Sequence, residues 1–369
     1  MRRILVLVSD LGAGGAERVV VSLASAWVQR GLEVHVVATF SSRPRQHYQL
    51  PGAVSFTRLA DFPGCTGRNP TAYWRRLSRL RRLALHIEPD VIVSFLTNVN
   101  VLGLLATTGA DIPVIVSERV DPSSERETSW LLRRLRWATY PMAAGIVVQT
   151  ARAGVSLASM IAGSTHVEVI PNPLPPDFPS APREVRRAAG RKCVVAAGRL
   201  TWQKRFDVLI DSFSLVAGRF QDWDLKIWGE GELLESLIEQ VNRSGLQGRV
   251  RFHGRTDSLW ARLLEADLFV SSSDFEGFPN AMLEAMALGV ACVTTDCPSG
   301  PRELSQDGDL AHLVPPADPE AMAVALQALM SDAAARERLG QRASEIVRRD
   351  YALPVILDRW NHLIEAVLR

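Results

Sequence analysis

Residues 171–182 read Pro171-Asn172-Pro173-Leu174-Pro175-Pro176-Asp177-Phe178-Pro179-Ser180-Ala181-Pro182, six prolines in twelve positions. Proline has a fixed φ and no amide hydrogen, so a cluster this dense forms neither helix nor central strand. It reads as a linker, and what flanks it decides the fold. Upstream, apolar runs at 4–8, 34–38, 91–95, 114–116, 145–148 and 167–170 alternate with amphipathic stretches such as 16–30 and 72–87. Downstream the rhythm restarts, with runs at 193–197, 225–228, 250–253, 268–271, 291–294 and 311–314. Such runs suit parallel strands covered by helices on both faces, and their alternation with helical patterns is that of βαβ units. The expected fold is α/β: two doubly wound parallel-sheet domains, 1–175 and 176–350, with a helical tail 351–369 crossing back to brace the first. Ligands of such sheets sit beyond the carboxyl ends of the strands, and the cleft between two facing domains is the expected site.

Length and composition agree with this reading. At roughly 100–200 residues per domain, 369 residues make two domains. With 47% apolar and 22% charged residues the chain is neither disordered nor fibrous. Cys65, Cys193, Cys292 and Cys297 are scattered, with no C-x-x-C pair, which points to no zinc site, no disulfide framework and a reducing cytoplasm. Residues 1–175 hold 19 Arg against 12 Asp and Glu (+7), and residues 176–369 hold 23 Lys and Arg against 28 Asp and Glu (−5). This asymmetry argues against a nucleic-acid binder and lets one half face an anionic surface. The run 4–8 is too short for a signal-peptide core and reads as a first strand. Residues 91–110 carry no charge over a membrane-span length, but the polar Thr97, Asn98, Asn100, Thr107 and Thr108 favour strand, turn and buried helix.

The most informative motif is Asp274-Phe275-Glu276-Gly277-Phe278-Pro279-Asn280-Ala281-Met282-Leu283-Glu284. Pro279 suits the first turn of a helix, placing Glu276 before it and Glu284 inside it. On one continuous helix the two carboxylates would lie about 12 Å apart along the axis, too far to share a proton. That spacing suits two carboxylates gripping separate parts of one extended ligand; a loop glutamate and an ordinary helix-surface glutamate are the alternative. The amides of Asn280 and Ala281 at a helix N-terminus would attract a phosphate.

Arg199-Leu200-Thr201-Trp202-Gln203-Lys204-Arg205 follows the strand at 193–197. Lys204 is one of three lysines, beside 39 arginines. Arg199 by its fork and Lys204 as a point charge suit a diphosphate; a solvated basic loop is the alternative. After the first strand comes Asp10-Leu11-Gly12-Ala13-Gly14-Gly15-Ala16-Glu17-Arg18. Glycines let backbone N–H groups approach ligand oxygen. A dinucleotide fingerprint needs a third glycine where Glu17 stands, and no acidic residue ends the second strand, so an NAD enzyme is disfavoured. No Walker A motif is present. Ser117-Glu118-Arg119-Val120-Asp121 ends another strand, either as a binding loop or as local ion pairing. Gly229-Glu230-Gly231, Gly254-Arg255 and the stretch from Cys297 to Glu303 would line the second domain's rim.

Together these motifs resemble the family 4 glycosyltransferases of the GT-B fold, over nearly the whole chain. The resemblance rests on Gly14-Gly15-Ala16-Glu17-Arg18, Pro171-Asn172-Pro173, Gly198-Arg199-Leu200 with Gln203-Lys204, Gly229-Glu230-Gly231 and the E-x7-E pair Glu276/Glu284. It is strongest to bacterial enzymes of lipid-linked oligosaccharide and surface polysaccharide synthesis, whose Ser-Glu-x loop is similar to Ser117-Glu118-Arg119. The resemblance implies a retaining, metal-independent hexosyl or N-acetylhexosaminyl transferase using a nucleotide sugar, with UDP favoured, and needing no cofactor. Arg199 and Lys204 would neutralise the donor diphosphate, Glu284 would hold the ribose and Glu276 the transferred sugar. Gly277, Phe278, Pro279, Asn280 and Ala281 would border sugar and phosphate, and Arg255 would lie near the base. Gly14 and Gly15 would meet the donor phosphates from the opposite domain, beside Glu118 and Arg119. Many relatives carry His where Arg119 stands; an arginine keeps its proton and cannot act as a base, so Arg119 would bind phosphate or acceptor instead.

The acceptor implied is a glycan or a polyprenyl-diphosphate-linked sugar. Residues 74–83 and 130–137 combine tryptophan, leucine and arginine at helical spacing, which suits peripheral binding to an anionic membrane, from the cytoplasmic side, as well as it suits ordinary solvated faces. A catalytically silent sugar-nucleotide-binding subunit of the same fold is the alternative function, disfavoured by the intact set Arg199, Lys204, Glu276 and Glu284.

Overall fold

The computed structural model describes residues 2–12, 14–40, 47–67, 69–123, 128–161, 166–182, 190–256 and 258–369. The chain divides into two compact units, Met1–Pro176 with Leu353–Arg369, and Asp177–Ala352.

In the first unit seven strands are described: β1 (Arg3–Val8), β2 (Glu33–Ala38), β3 (Ser55–Arg58), β4 (Val91–Phe95), β5 (Val114–Ser117), β6 (Gly145–Val148) and β7 (Val167–Val169). They form one sheet in the order β3-β2-β1-β4-β5-β6-β7, every pairing parallel. Ile4 of β1 pairs with Val34 on one side and Val91 on the other. Alternate residues of β1 feed two cores: Ile4, Val6 and Val8 join the helix Gly15–Gln29 through Val20, Leu23 and Trp27, while Leu5 and Leu7 meet Leu80, Val99 and Leu102. Both faces are covered, which is why β1 reads as an unbroken apolar run. The strand β3 was not anticipated: it is a four-residue edge strand, part-exposed, with no apolar run to mark it. Residues 91–110 resolve into β4 and the buried helix Thr97–Thr107. Among the described residues no helix is long and apolar enough to cross a membrane.

The tail forms the helix Leu353–Val367 and belongs to this unit. Trp360 meets Trp27 edge to face, with ring centroids 6.4 Å apart, and Trp27 Nε1 donates to Asn361 Oδ1 at 3.0 Å. The first part of the proline stretch is packed rather than loose: Asn172 and Leu174 are buried, and Asn172 accepts a hydrogen bond from Arg119.

In the second unit six strands are described: β8 (Lys192–Ala197), β9 (Trp223–Trp228), β10 (Val250–Phe252), β11 (Leu268–Ser271), β12 (Ala291–Thr295) and β13 (His312–Val314). Their order is β10-β9-β8-β11-β12-β13, again all parallel. The chain winds outward from β8 in one direction, then returns to β11 and winds in the other. The switch point between β8 and β11 opens a crevice at their carboxyl ends, the usual ligand position of such a sheet.

Candidate active site

Arg199 and Lys204 leave β8 at that switch point, and Glu276 leaves β11 directly beside them. The two loops are tied by one backbone bond and two side-chain bonds to backbone carbonyls. The Asp274 amide donates to the Gln203 carbonyl (2.9 Å), Gln203 Nε2 to the Phe275 carbonyl (2.8 Å), and Ser272 Oγ to the Lys204 carbonyl (2.8 Å). The loop after β12 joins them: the Glu276 amide donates to the Pro298 carbonyl (3.2 Å), and Thr295 Oγ1 to the Ser273 carbonyl (2.6 Å). Gly300, at φ +105°, brings this loop onto Pro279, whose Cδ would lie 2.6 Å from any added Cβ.

The loops after β8, β9 and β10 are likewise laced together. The Gly198 amide donates to Trp228, the Leu200 amide to Glu230 (2.9 Å), and the Gly229 amide to Gly254 (2.8 Å). A Cβ at Gly229 would lie 1.8 Å from the Gly198 carbonyl oxygen, and one at Gly231 2.3 Å from that of Leu200. The G-x-G motif is therefore a close backbone crossing that only glycine allows.

Lys204 Nζ lies 2.6 Å from Glu276 Oε1, and Ser273 Oγ donates to the same oxygen at 2.6 Å. Glu276 is buried, yet its Oε2 has no hydrogen-bond partner among the described residues, leaving one oxygen fixed and one open. Arg199 is exposed and its side chain makes no ion pair or hydrogen bond among the described residues. Glu284 lies on the helix Asn280–Ala287, buried, with Oε2 accepting from Trp260 Nε1 at 2.9 Å. The two glutamates do not share a helix, so the 12 Å axial spacing does not apply. Pro279 stands at the N-cap rather than inside the first turn. Of the two amides expected to face a phosphate, that of Asn280 donates instead to the Phe278 carbonyl (2.9 Å), closing a tight turn; Ala281 heads the helix without such a bond. Phe278 is buried against Tyr351, Gly277 is half-buried, and Arg255 is exposed after β10.

The first unit holds the other expected residues at the ends of β1 and β5. The Glu118 carboxylate turns inward: it accepts from Thr97 Oγ1 (2.8 Å) and the Tyr140 hydroxyl, with Arg136 Nη1 at 3.8 Å. It is buried, these contacts hold the loop after β5, and Tyr140 is pushed well above the ordinary phenol range by burial and by that carboxylate. Arg119 is also buried, donating to Ser117 Oγ (3.3 Å) and Asn172 and lying over the Phe95 ring at 5.4 Å. Burial lowers its guanidinium to about 9, opposed by Glu17, so it stays a cation at neutral pH. Gly14 caps the helix that Gly15 begins, and an added Cβ there would lie 2.1 Å from Glu17 Oε2. An anion reaching Gly14 thus meets the Glu17 carboxyl, whose pKa is raised by burial, with Asp10 adding to the rise and a backbone hydrogen bond and Arg119 opposing it. The sequence motifs contain Arg205, Asp274 and Asn172 but give them no role, and they do not point to Ser273 or Trp260. No spacing rule links Trp260 to Glu284, or Asn172 to Arg119; only the folded chain brings them together.

Two family models match the chain: "Glycosyltransferase Family 4" over residues 13–178 and "Glycosyl transferases group 1" over residues 191–332. An exopolysaccharide phosphotransferase of Streptomyces coelicolor is 28% identical over 95% of this chain, which spans only 39% of that relative. An α-1,4-N-acetyl-D-galactosaminyltransferase of Campylobacter jejuni, named for an undecaprenyl-diphosphate-linked acceptor, is 25% identical over 100% of this chain and 99% of its own length. An Anabaena protein solved in complex with UDP superposes with a TM-score of 0.81 at 16% identity, covering 99% of this chain and 100% of that one. With one matched model on each unit and both sheets parallel and doubly wound, the chain belongs to glycosyltransferase family 4 and has the GT-B fold.

Proposed function

We propose that the chain transfers a hexosyl or N-acetylhexosaminyl unit from a UDP-sugar to a glycan or polyprenyl-diphosphate-linked acceptor, with retention of configuration, in bacterial polysaccharide or glycoconjugate synthesis. The observation that carries this reading is Glu276, with Oε1 held by Lys204 and Ser273 and Oε2 without a hydrogen-bond partner among the described residues, at the switch point where the exposed Arg199 follows β8. Arg199 and Lys204 hold the diphosphate. Glu276 accepts hydrogen bonds from hydroxyls of the sugar, next to Gly277, Phe278 and Pro279, and the Ala281 amide adds its dipole. Glu284, steadied by Trp260, accepts from the ribose, and Arg255 borders the base.

As the anomeric carbon–oxygen bond breaks, charge develops on the leaving diphosphate, where fixed cations stabilise it most. These are side-chain cations, so no divalent metal is required. The acceptor hydroxyl bonds to the anomeric carbon on the face the diphosphate leaves, and a departing phosphate oxygen takes its proton. The first unit, with Gly14, Gly15, Glu118 and Arg119 at its strand ends, takes the acceptor. The relatives' undecaprenyl-linked acceptor and bound UDP support these choices.

The same reading places the protein in the cytoplasm, peripheral on the anionic inner face of the plasma membrane. Trp74, Trp130 and Trp137 are exposed on the helices Pro70–Ile87 and Trp130–Thr139, beside the exposed Arg75, Arg82, Arg133 and Arg134. Arg76 and Arg136 are buried, so the basic faces are narrower than the sequence suggests.

The test is release of UDP from UDP-N-acetylhexosamines and UDP-hexoses with a polyprenyl-diphosphate-linked acceptor, with and without a chelator. Release that is chelator-insensitive and lost in Glu276→Ala supports the proposal. An inert wild type that binds UDP would instead make the chain a silent binding subunit. Co-sedimentation with phosphatidylglycerol vesicles, unaffected by lipid charge or salt, would remove the membrane assignment.

A further inference from the structure

Arg205 follows Lys204 and adopts the left-handed conformation, φ +46° and ψ +45°, between the turn Trp202–Lys204 and the helix Phe206–Ala217. Glycine is the residue that takes this conformation without strain, and arginine strains the backbone there. Its guanidinium lies between two carboxylates. Nε and Nη2 donate to Asp207 (3.1 and 3.0 Å), and Nη1 donates to both oxygens of Asp274 (3.2 and 3.3 Å). These side chains are 26%, 47% and 30% exposed, and ion pairs that open to solvent add little to folding stability. A strained backbone supporting a weakly stabilising ion pair is a poor arrangement for stability alone. What it does achieve is geometric: Asp274 stands two residues before Glu276, and Arg205 one residue after Lys204.

We propose that Arg205 is a positioning residue, which through Asp274 locks the Lys204 turn against the Glu276 loop and so fixes the Lys204 ammonium where a donor diphosphate needs it. Gln203 Nε2 and Ser272 Oγ join the same loops by donating to the Phe275 and Lys204 carbonyls, and the Asp274 amide donates to the Gln203 carbonyl, but these bonds end on backbone oxygens and none reaches the Lys204 side chain. Asp207, on the helix after the turn, holds the other side of the guanidinium and keeps Arg205 from swinging into solvent. The consequence for donor binding rests on the transferase reading above; the ordering of Lys204 does not.

Lys192, Lys204 and Lys226 are the three lysines of the chain, so each amine can be followed separately. The experiment compares wild type, Arg205→Gly and Asp274→Asn. It measures acetylation of each lysine by acetic anhydride with peptide mass spectrometry, the thermal midpoint, and the Kd for UDP by calorimetry. Glycine relieves the strain and keeps the backbone path, and asparagine keeps the shape of Asp274. The expected result is Lys204 acetylation rising about three- to tenfold over the two reference lysines, weaker UDP binding by a similar factor, and an unchanged midpoint. Unchanged Lys204 acetylation, or faster Lys204 acetylation with unchanged UDP affinity, overturns the proposal. So does equal acceleration at all three lysines with a lowered midpoint, which would mean general loosening. If wild type does not bind UDP, the transferase reading fails, and the acetylation ratio alone decides whether Arg205 orders Lys204.

Discussion

Lys204 and Glu276, 72 residues apart in sequence, meet at 2.6 Å because they leave neighbouring strands on opposite sides of the sheet's switch point. The pair is nearly closed to solvent, with Lys204 20% and Glu276 7% exposed in their side chains. Lys204→Met leaves a buried carboxylate with Ser273 as its remaining donor, at a cost of about 1–3 kcal/mol. On the proposed mechanism it also removes a cation from the leaving diphosphate, so transfer should fall about 10²–10³-fold. Adding Glu276→Ala should recover part of the stability, because the stranded carboxylate is gone, while activity stays lost. Urea unfolding of the single and double variants checks this; stability losses that simply add would show that the two side chains do not interact.

Trp260 and Glu284 form a second such pair, with the indole N–H donating to one carboxylate oxygen. In Trp260→Phe the ring remains and the donor is lost. A hydrogen bond to a charged group is worth about 1.5–3 kcal/mol, so donor affinity should fall roughly tenfold or more. With Glu284 holding the ribose, as proposed, the contact is remote from the breaking bond, and the change should appear in KM with kcat nearly unchanged. A fall in kcat at constant KM would place Glu284 elsewhere in the reaction.

Gly229 and Gly218 separate two uses of glycine. An alanine methyl at 229 meets the Gly198 carbonyl at 1.8 Å, in a backbone conformation of φ +149°. The crossing of the β8 and β9 loops must then open, and a loss of about 3 kcal/mol or more is expected, with Arg199 displaced. At Gly218 the backbone is right-handed and nothing lies within 4 Å, so alanine there should stabilise by about 0.4–1 kcal/mol. Denaturation midpoints of the two variants, measured side by side, test the contrast.

The two sheets were legible because their strands are buried on both faces: β4, β6 and β11 match their apolar runs end to end. The edge strand β3 was not, since Ser55-Phe56-Thr57-Arg58 holds a single apolar residue and no run. The positions of the second unit's candidate residues were legible, as Arg199, Lys204, Glu276 and Glu284 each stand after a strand end or on the following helix. Their allocation was less so. Glu118 carries the same charge beside the same kind of strand end, yet it is tied to Thr97, Tyr140 and Arg136, which approach from 21, 22 and 18 residues away. Asn280 lost its free amide to a turn with Phe278 that only the backbone path reveals. Charge and spacing along the chain are local, whereas what a side chain is left free to bind depends on what folds against it.

Cys193 and Cys297 are buried thiols whose pKa values burial raises to about 12, with Glu276 adding to the effect at Cys297. Above the ordinary thiol pKa near 8.5 the unfolded chain loses these protons while the folded chain keeps them. Deprotonation of the unfolded state then favours unfolding, so both thiols leave stability unchanged below about pH 8 and erode it progressively as pH rises toward 12. Urea midpoints at pH 8 and pH 10 should therefore differ by less in a Cys193→Ala/Cys297→Ala variant than in wild type, even if the variant is weaker at pH 8. Iodoacetamide should leave both thiols unmodified in the native protein at pH 8 and modify them after denaturation. Native-state modification of Cys297 at a rate near that of the denatured chain would mean that the loop after β12 opens to solvent in the folded protein and that the burial raising this thiol is not maintained.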